Sequence, residues 1–111
     1  MPLAERTRIE IHVPGALNGT VQKLVESFVE SFAQTFGRCT VIHVRDNHYS
    51  TRRGLILNDP TTVIFSDATL SLVKDRAHCI QYMNQLRQAA EEKLEEQSVL
   101  VAAQSIYHSV E

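Results

Sequence analysis

The sequence predicts an α/β protein of the α+β kind, ordered βαββαβ, with a four-stranded antiparallel sheet and two helices on one face. Three observations carry that prediction. A strict polar–apolar alternation stands near the start, two long segments repeat their apolar residues at helical spacing, and β-branched runs lie between and after them.

RIEIHV (8–13) sets Ile9, Ile11 and Val13 on one face and Arg8, Glu10 and His12 on the other, the pattern of a strand with one face in a core. Pro14 and Gly15 stop it, and residues 1–7 are expected to be a flexible tail of a single domain spanning 1–111. TVQKLVESFVESFAQTF (20–36) gathers Val21, Leu24, Val25, Phe28, Val29, Phe32 and Phe36 on one helical stripe. Thr20 or Asn18 suits its N-cap, and Gly37 its end. CTVIHVR (39–45) is the second strand by its β-branched content. A polar loop, HYSTRRG (48–54), follows, then a short apolar piece, LIL (55–57). The NDPT turn (58–61) leads into the strand TTVIFS (61–66). A second helix runs from about Ser71 or Lys74 to Glu96, with Ile80, Met83, Leu86, Ala90 and Leu94 turned inward. Its last turns, EEKLEE, are a solvated acidic surface, and SVLVAAQSIYHSV (98–110) reads as a long final strand.

In VIF and VLVAA consecutive residues are apolar, which requires cover on both faces of those strands. Two helices cover one face only. A second copy of the chain is the economical cover for the other, so a homodimer or higher homo-oligomer through the open sheet face is expected.

The totals narrow the function classes. The chain of 111 residues has room for one hydrophobic core, with 43% apolar and 22% charged residues. Its formal charge of −2 supplies no field for nucleic acid or an anionic membrane, and no nucleic-acid partner is expected. An RNA contact through the sheet is disfavoured further because the strands lack paired exposed aromatics for base stacking. No apolar run approaches the roughly 18 residues that span a bilayer, and MPLAERTRIE has no signal-peptide core, so the expected location is cytoplasmic. Cys39 and Cys79 have no partner at metal-ligand spacing and read as two buried thiols, with a disulfide left open.

The pieces FGRCTVIHVRDNHYSTRRGLILND, TTVIFSDA and EEKLEEQSVLVAAQSIYHSVE together resemble a family of uncharacterised small bacterial proteins. The resemblance spans roughly residues 7 to 111. The last piece is also similar to a second group of small α/β proteins, which end a helix with a like acid-Gln-Ser-Val-Leu run. Both resemblances imply the fold. Neither brings a reaction, a ligand or functional residues. The βαββαβ order is that of ferredoxin-like domains, which often pair sheets and which host regulators, ligand-binding modules, lyases and monooxygenases alike.

For chemistry, the polar loop stands out. Arg52 and Arg53 can grip a phosphate or carboxylate in planar fashion, Tyr49 can stack on a ring, and His48 and Arg45 lie beside them. A solvated hairpin loop would look the same. The chain is therefore read as an accessory or regulatory binding module for a small anionic ligand or a protein partner, without a cofactor. The alternative is a small cofactor-free enzyme of isomerase, lyase or monooxygenase type, its site between sheet and loop, with His12, His43 and Tyr107 as acid–base candidates. If His12 and His43 share the open face with Glu10, they offer a metal site or an acid–base pair. No H-x-H, H-x-x-x-H or H-E-x-x-H spacing specifies metal geometry, and no metal is expected. His78 and His108 are scattered beyond them. Pro2, exposed as a secondary amine once Met1 is removed, resembles the general base of tautomerases. There the proline begins the first strand, whereas here LAERT is expected to hold Pro2 away from it. The glycines fit neither dinucleotide nor Walker spacing, and no serine sits in a G-x-S-x-G elbow.

Overall fold

The computed structural model describes residues 2–15, 17, 19–44, 48–50, 56–58, 60–94 and 99–109, with the backbone alone at 48–50 and 56–58. In chain order the elements are β1 (Leu3–Pro14), α1 (Gly19–Phe36), β2 (Thr40–Val44), β3 (His48–Ser50), β4 (Ile56–Asn58), β5 (Thr61–Ala68), α2 (Arg76–Lys93) and β6 (Leu100–Ser109). Strands β2, β5, β1 and β6 lie side by side in that order, each antiparallel to its neighbour. This is the ferredoxin-like βαββαβ sheet, with a two-stranded ribbon, β3–β4, inserted between its second and third strands.

One face of the sheet is the core. Ile9, Ile11 and Val13 of β1 and Ile64 of β5 are fully buried against Leu24, Val25, Phe28 and Phe32 of α1 and Leu86 and Ala90 of α2. Burying a side chain of that size stabilises the fold by about 1.5–3 kcal/mol. Phe32, Phe36 and Tyr82 form an aromatic cluster with centroids 5.1–5.9 Å apart, and the Tyr82 hydroxyl shares a 3.0 Å hydrogen bond with Ser31. Gly37 ends α1 at φ 86°, where its N–H donates to the Ala33 carbonyl.

The other face carries Arg8, Glu10 and His12 of β1, Val63, Phe65 and Asp67 of β5, Ile42 of β2, and Leu100 and Ile106 of β6. Among the described residues nothing covers it, and Ile42 and Leu100 are 46% and 58% exposed. No helix among the described residues is long and apolar enough to cross a membrane.

Several expectations need correction. Strand β1 starts at Leu3, because Leu3 to His12 pair without a break against Ser109 to Leu100, so most of the expected 1–7 tail is sheet. With it goes the ground for setting Pro2 apart, since Pro2 directly precedes β1. The stretch read as a plain loop contains strand β3, which pairs His48, Tyr49 and Ser50 with Asn58, Leu57 and Ile56. In α2 the helix begins at Arg76, after the Asp75 carboxylate has accepted the Ser71 N–H. Ile80 points outward at 44% exposure, because Cys79, Leu86 and Ala90 define the buried stripe. Cys79 is buried and Cys39 half-buried, and both are free thiols.

Candidate ligand-binding site

Where β1 stops and β5 starts, the chain is tied to itself. Gly15 turns at φ 105°, a conformation that side chains resist, and its N–H donates to the Pro60 carbonyl at 2.8 Å. A Cβ at Gly15 would also touch Val21 Cγ2 at 3.4 Å. Beside this tie lies a cleft of about 440 Å³, lined by Gly15, Leu17, His43, Val44, Pro60, Thr61 and Thr62. Leu17, Val44 and Pro60 make its apolar walls. His43 stands on edge strand β2, its Nδ1 3.3 Å from the hydroxyl of buried Thr62. That contact orients the imidazole and leaves Nε2 for a ligand. A second groove of about 560 Å³ shares Leu17 and His43 and runs between α1 and β2 past Val25, Val29, Ala33 and Val41. Concave, mainly apolar space of this size with a few convergent polar groups suits a small molecule carrying a ring.

The ribbon springs from the walls of this cleft, for the chain leaves for β3 after Val44 and returns from β4 to Pro60. His48 and Tyr49 are therefore on a β-ribbon rooted at the cleft. Arg45, Arg52 and Arg53 lie outside the described residues. In the chain, Arg45 follows Val44 directly, and Arg52 and Arg53 fall between β3 and β4.

The proposed acid–base trio is not brought together. His12 is on the open face, where its Nε2 lies 3.5 Å from Glu10 Oε1, too long for a hydrogen bond, and has no other polar partner among the described residues. His43 is on the opposite face, because its neighbour Ile42 is the residue that aligns with Val63 and so with His12. Tyr107 pairs with Glu5, whereas His12 pairs with Leu100. At strand rise, that register separates Tyr107 from His12 by about 23 Å along the sheet. Among the described residues no three of His, Cys, Asp and Glu converge as a metal-binding group.

Arg8 hydrogen-bonds Asp67 and holds that carboxyl below its ordinary range, while the guanidinium is itself raised by Asp67. Burial, with Asp75 nearby, pushes the Cys79 thiol up. The cleft residues Gly15, Leu17, Pro60, Thr61 and Thr62 escaped sequence reading, since their types are those of any turn. The juxtaposed Gly15 and Pro60 were each legible as strand ends, but not as neighbours.

No protein-family model matches the chain, and no curated protein matches it in sequence. Two solved structures share its fold. One is CPII bound to ADP, AMP and acetate, from Thiomonas intermedia K12, with a TM-score of 0.51 and 13% identity over 99% of this chain and 94% of that one. The other is a phage SAM lyase in complex with S-methyl-5'-thioadenosine, with a TM-score of 0.55 and 15% identity over 95% and 90% of the two chains. At these identities the likeness is one of fold.

Proposed function

We propose that the protein is a small, self-associating binding module for an anionic ligand bearing an adenosine moiety, acting as an accessory or regulatory component in the cytoplasm. The observation that carries this reading is the 440 Å³ cleft from whose walls the ribbon springs. The ring and ribose would lie between Leu17, Val44 and Pro60, with His43 and Thr61 as polar contacts. Arg45, Arg52 and Arg53 are the proposed contacts for the phosphate or carboxylate, with Tyr49 and His48 as the further ligand-binding residues. The two structural neighbours named above hold ADP and AMP in one case and S-methyl-5'-thioadenosine in the other, which supports adenosine as the common part.

Calorimetric titration with ADP, AMP and S-methyl-5'-thioadenosine tests it. Saturable binding is expected for at least one, weakened in Arg52→Ala/Arg53→Ala for the phosphorylated ligands and lost in Val44→Trp, which fills the cleft. A null titration with all three refutes the adenosine assignment. A second reading, a lyase acting on an adenosine-bearing substrate, is favoured by the nature of the phage neighbour. Incubation with SAM and chromatography of the products separates the two, since a binding module leaves SAM intact.

A further inference from the structure

Strand β2 begins at Thr40, opposite Phe65, while β5 continues to Ala68. The mismatch leaves a notch at the sheet corner, at the end of β5 away from the cleft. Thr62 lines the cleft and Asp67 the notch, about 16 Å apart at strand rise. The notch encloses about 460 Å³, and three separate parts of the chain bring cationic or ionisable nitrogen to it: Arg6 from β1, Arg38 from the α1–β2 connection and His108 from β6. The hydroxyls of Thr40 and Thr69 are also in its wall.

The charge there is uncompensated. Asp67 is already engaged, since Arg8 donates to both its oxygens at 2.7 and 3.1 Å. Among the described residues neither Arg6 nor Arg38 has a carboxylate within ion-pair distance. Arg6 spends one N–H on the Glu5 carbonyl at 2.9 Å and keeps the rest of its fork. The Arg38 backbone is anchored where its carbonyl accepts the Ser66 hydroxyl, and its side chain is exposed. Of the residues that line the hollow, Arg6 and Arg38 are cationic and Asp67, already bound by Arg8, is the carboxylate, in a chain whose formal charge is −2. His108 Nε2 lies 3.4 Å from Asp67 Oδ2, which sets the ring beside the hollow.

We propose that this notch is a second anion site, taking a phosphate group through Arg6, Arg38 and His108. Forked guanidinium donors from two elements, with Thr40 and Thr69 in the same lining, match a tetrahedral dianion. The site is independent of the cleft and its ribbon.

Titration of labelled protein with inorganic phosphate, followed by NMR of the His108 ring, tests it directly, with AMP titrated in parallel. A saturable His108 shift with phosphate alone assigns the notch to the free ion, and a shift with both assigns it to a phosphate monoester. Arg38→Ala is expected to weaken the binding at least about tenfold, the loss of one charge-assisted contact. Arg6→Ala/Arg38→Ala is expected to abolish it, while Arg52→Ala/Arg53→Ala leaves it unchanged. Arg38 is exposed and unpaired among the described residues, so the single variant keeps the fold, which circular dichroism verifies. Absence of a saturable shift at millimolar phosphate overturns the proposal. So does binding that survives loss of both Arg6 and Arg38, or that disappears with Arg52 and Arg53 instead.

Discussion

Arg8 donates to both carboxylate oxygens of Asp67 and lies 4.3 Å above the Phe65 ring, so one guanidinium makes a bidentate ion pair and a cation–π contact. The pair is partly solvated, with side-chain exposures of 31% and 20%, which limits its net contribution to about 1 kcal/mol. Its pH dependence has a definite sign. The Arg8 hydrogen bonds lower the Asp67 pKa in the folded state, so the unfolded carboxyl binds a proton first as pH falls. The stabilisation is complete above the ordinary carboxylate value of about 4 and is lost as pH drops through the lower folded value. Asp67→Asn is therefore expected to lower the urea midpoint at pH 7 and to converge on the wild-type midpoint in strong acid. Equal separation of the two midpoints at every pH would refute the linkage. Arg8 and Asp67 were legible as outward-facing residues of their strands, but the register that puts them opposite each other was not.

At the scale of the elements, the β1–α1 connection matters most to the site, because Gly15 both turns the chain and lines the cleft. Gly15→Ala forces a side chain into φ 105° with its Cβ against Val21, at an expected cost of about 1–3 kcal/mol. Chemical denaturation measures that cost, and weakened ligand binding is expected with it. A variant as stable as the wild type would show that the turn relaxes freely. Helix α1 shows why some elements read cleanly from sequence. Its apolar stripe keeps helical period over 18 residues, and Leu24, Val25, Phe28 and Phe32 are the buried ones. The ribbon shows the opposite. Strands β3 and β4 are three residues each, too short for any period, and HYS is polar enough to pass for loop.

On the scale of the whole molecule, the uncovered sheet face calls for a partner. Val63 and Phe65 are half-buried there, with Ile42 exposed beside them on β2 and Leu100 exposed across β1, and large apolar side chains left to solvent on one sheet face mark an interaction surface. We expect a mass above the 12.5 kDa of one chain in size exclusion with light scattering. Ile42→Glu, which sets a charge among the apolar residues at the β2 edge of that face, is expected to return the protein to monomer. A wild-type monomer at micromolar concentration would refute self-association through the sheet.

By itself the sequence determined the βαββαβ order, the apolar stripe of α1, the core residues of β1 and the polar character of the segment between β2 and β5. Those features are periodic or local, and each follows from which side chains must leave water. Only the tertiary structure decided the strand order, the separation of His12, His43 and Tyr107, and the pairing of Leu3 to His12 with β6. It also decided where Gly15 meets Pro60 and that Arg6, Arg38 and His108 line one hollow. These are contacts between residues distant in the chain. They are fixed by sheet register and by the unequal lengths of β2 and β5, which no local pattern encodes.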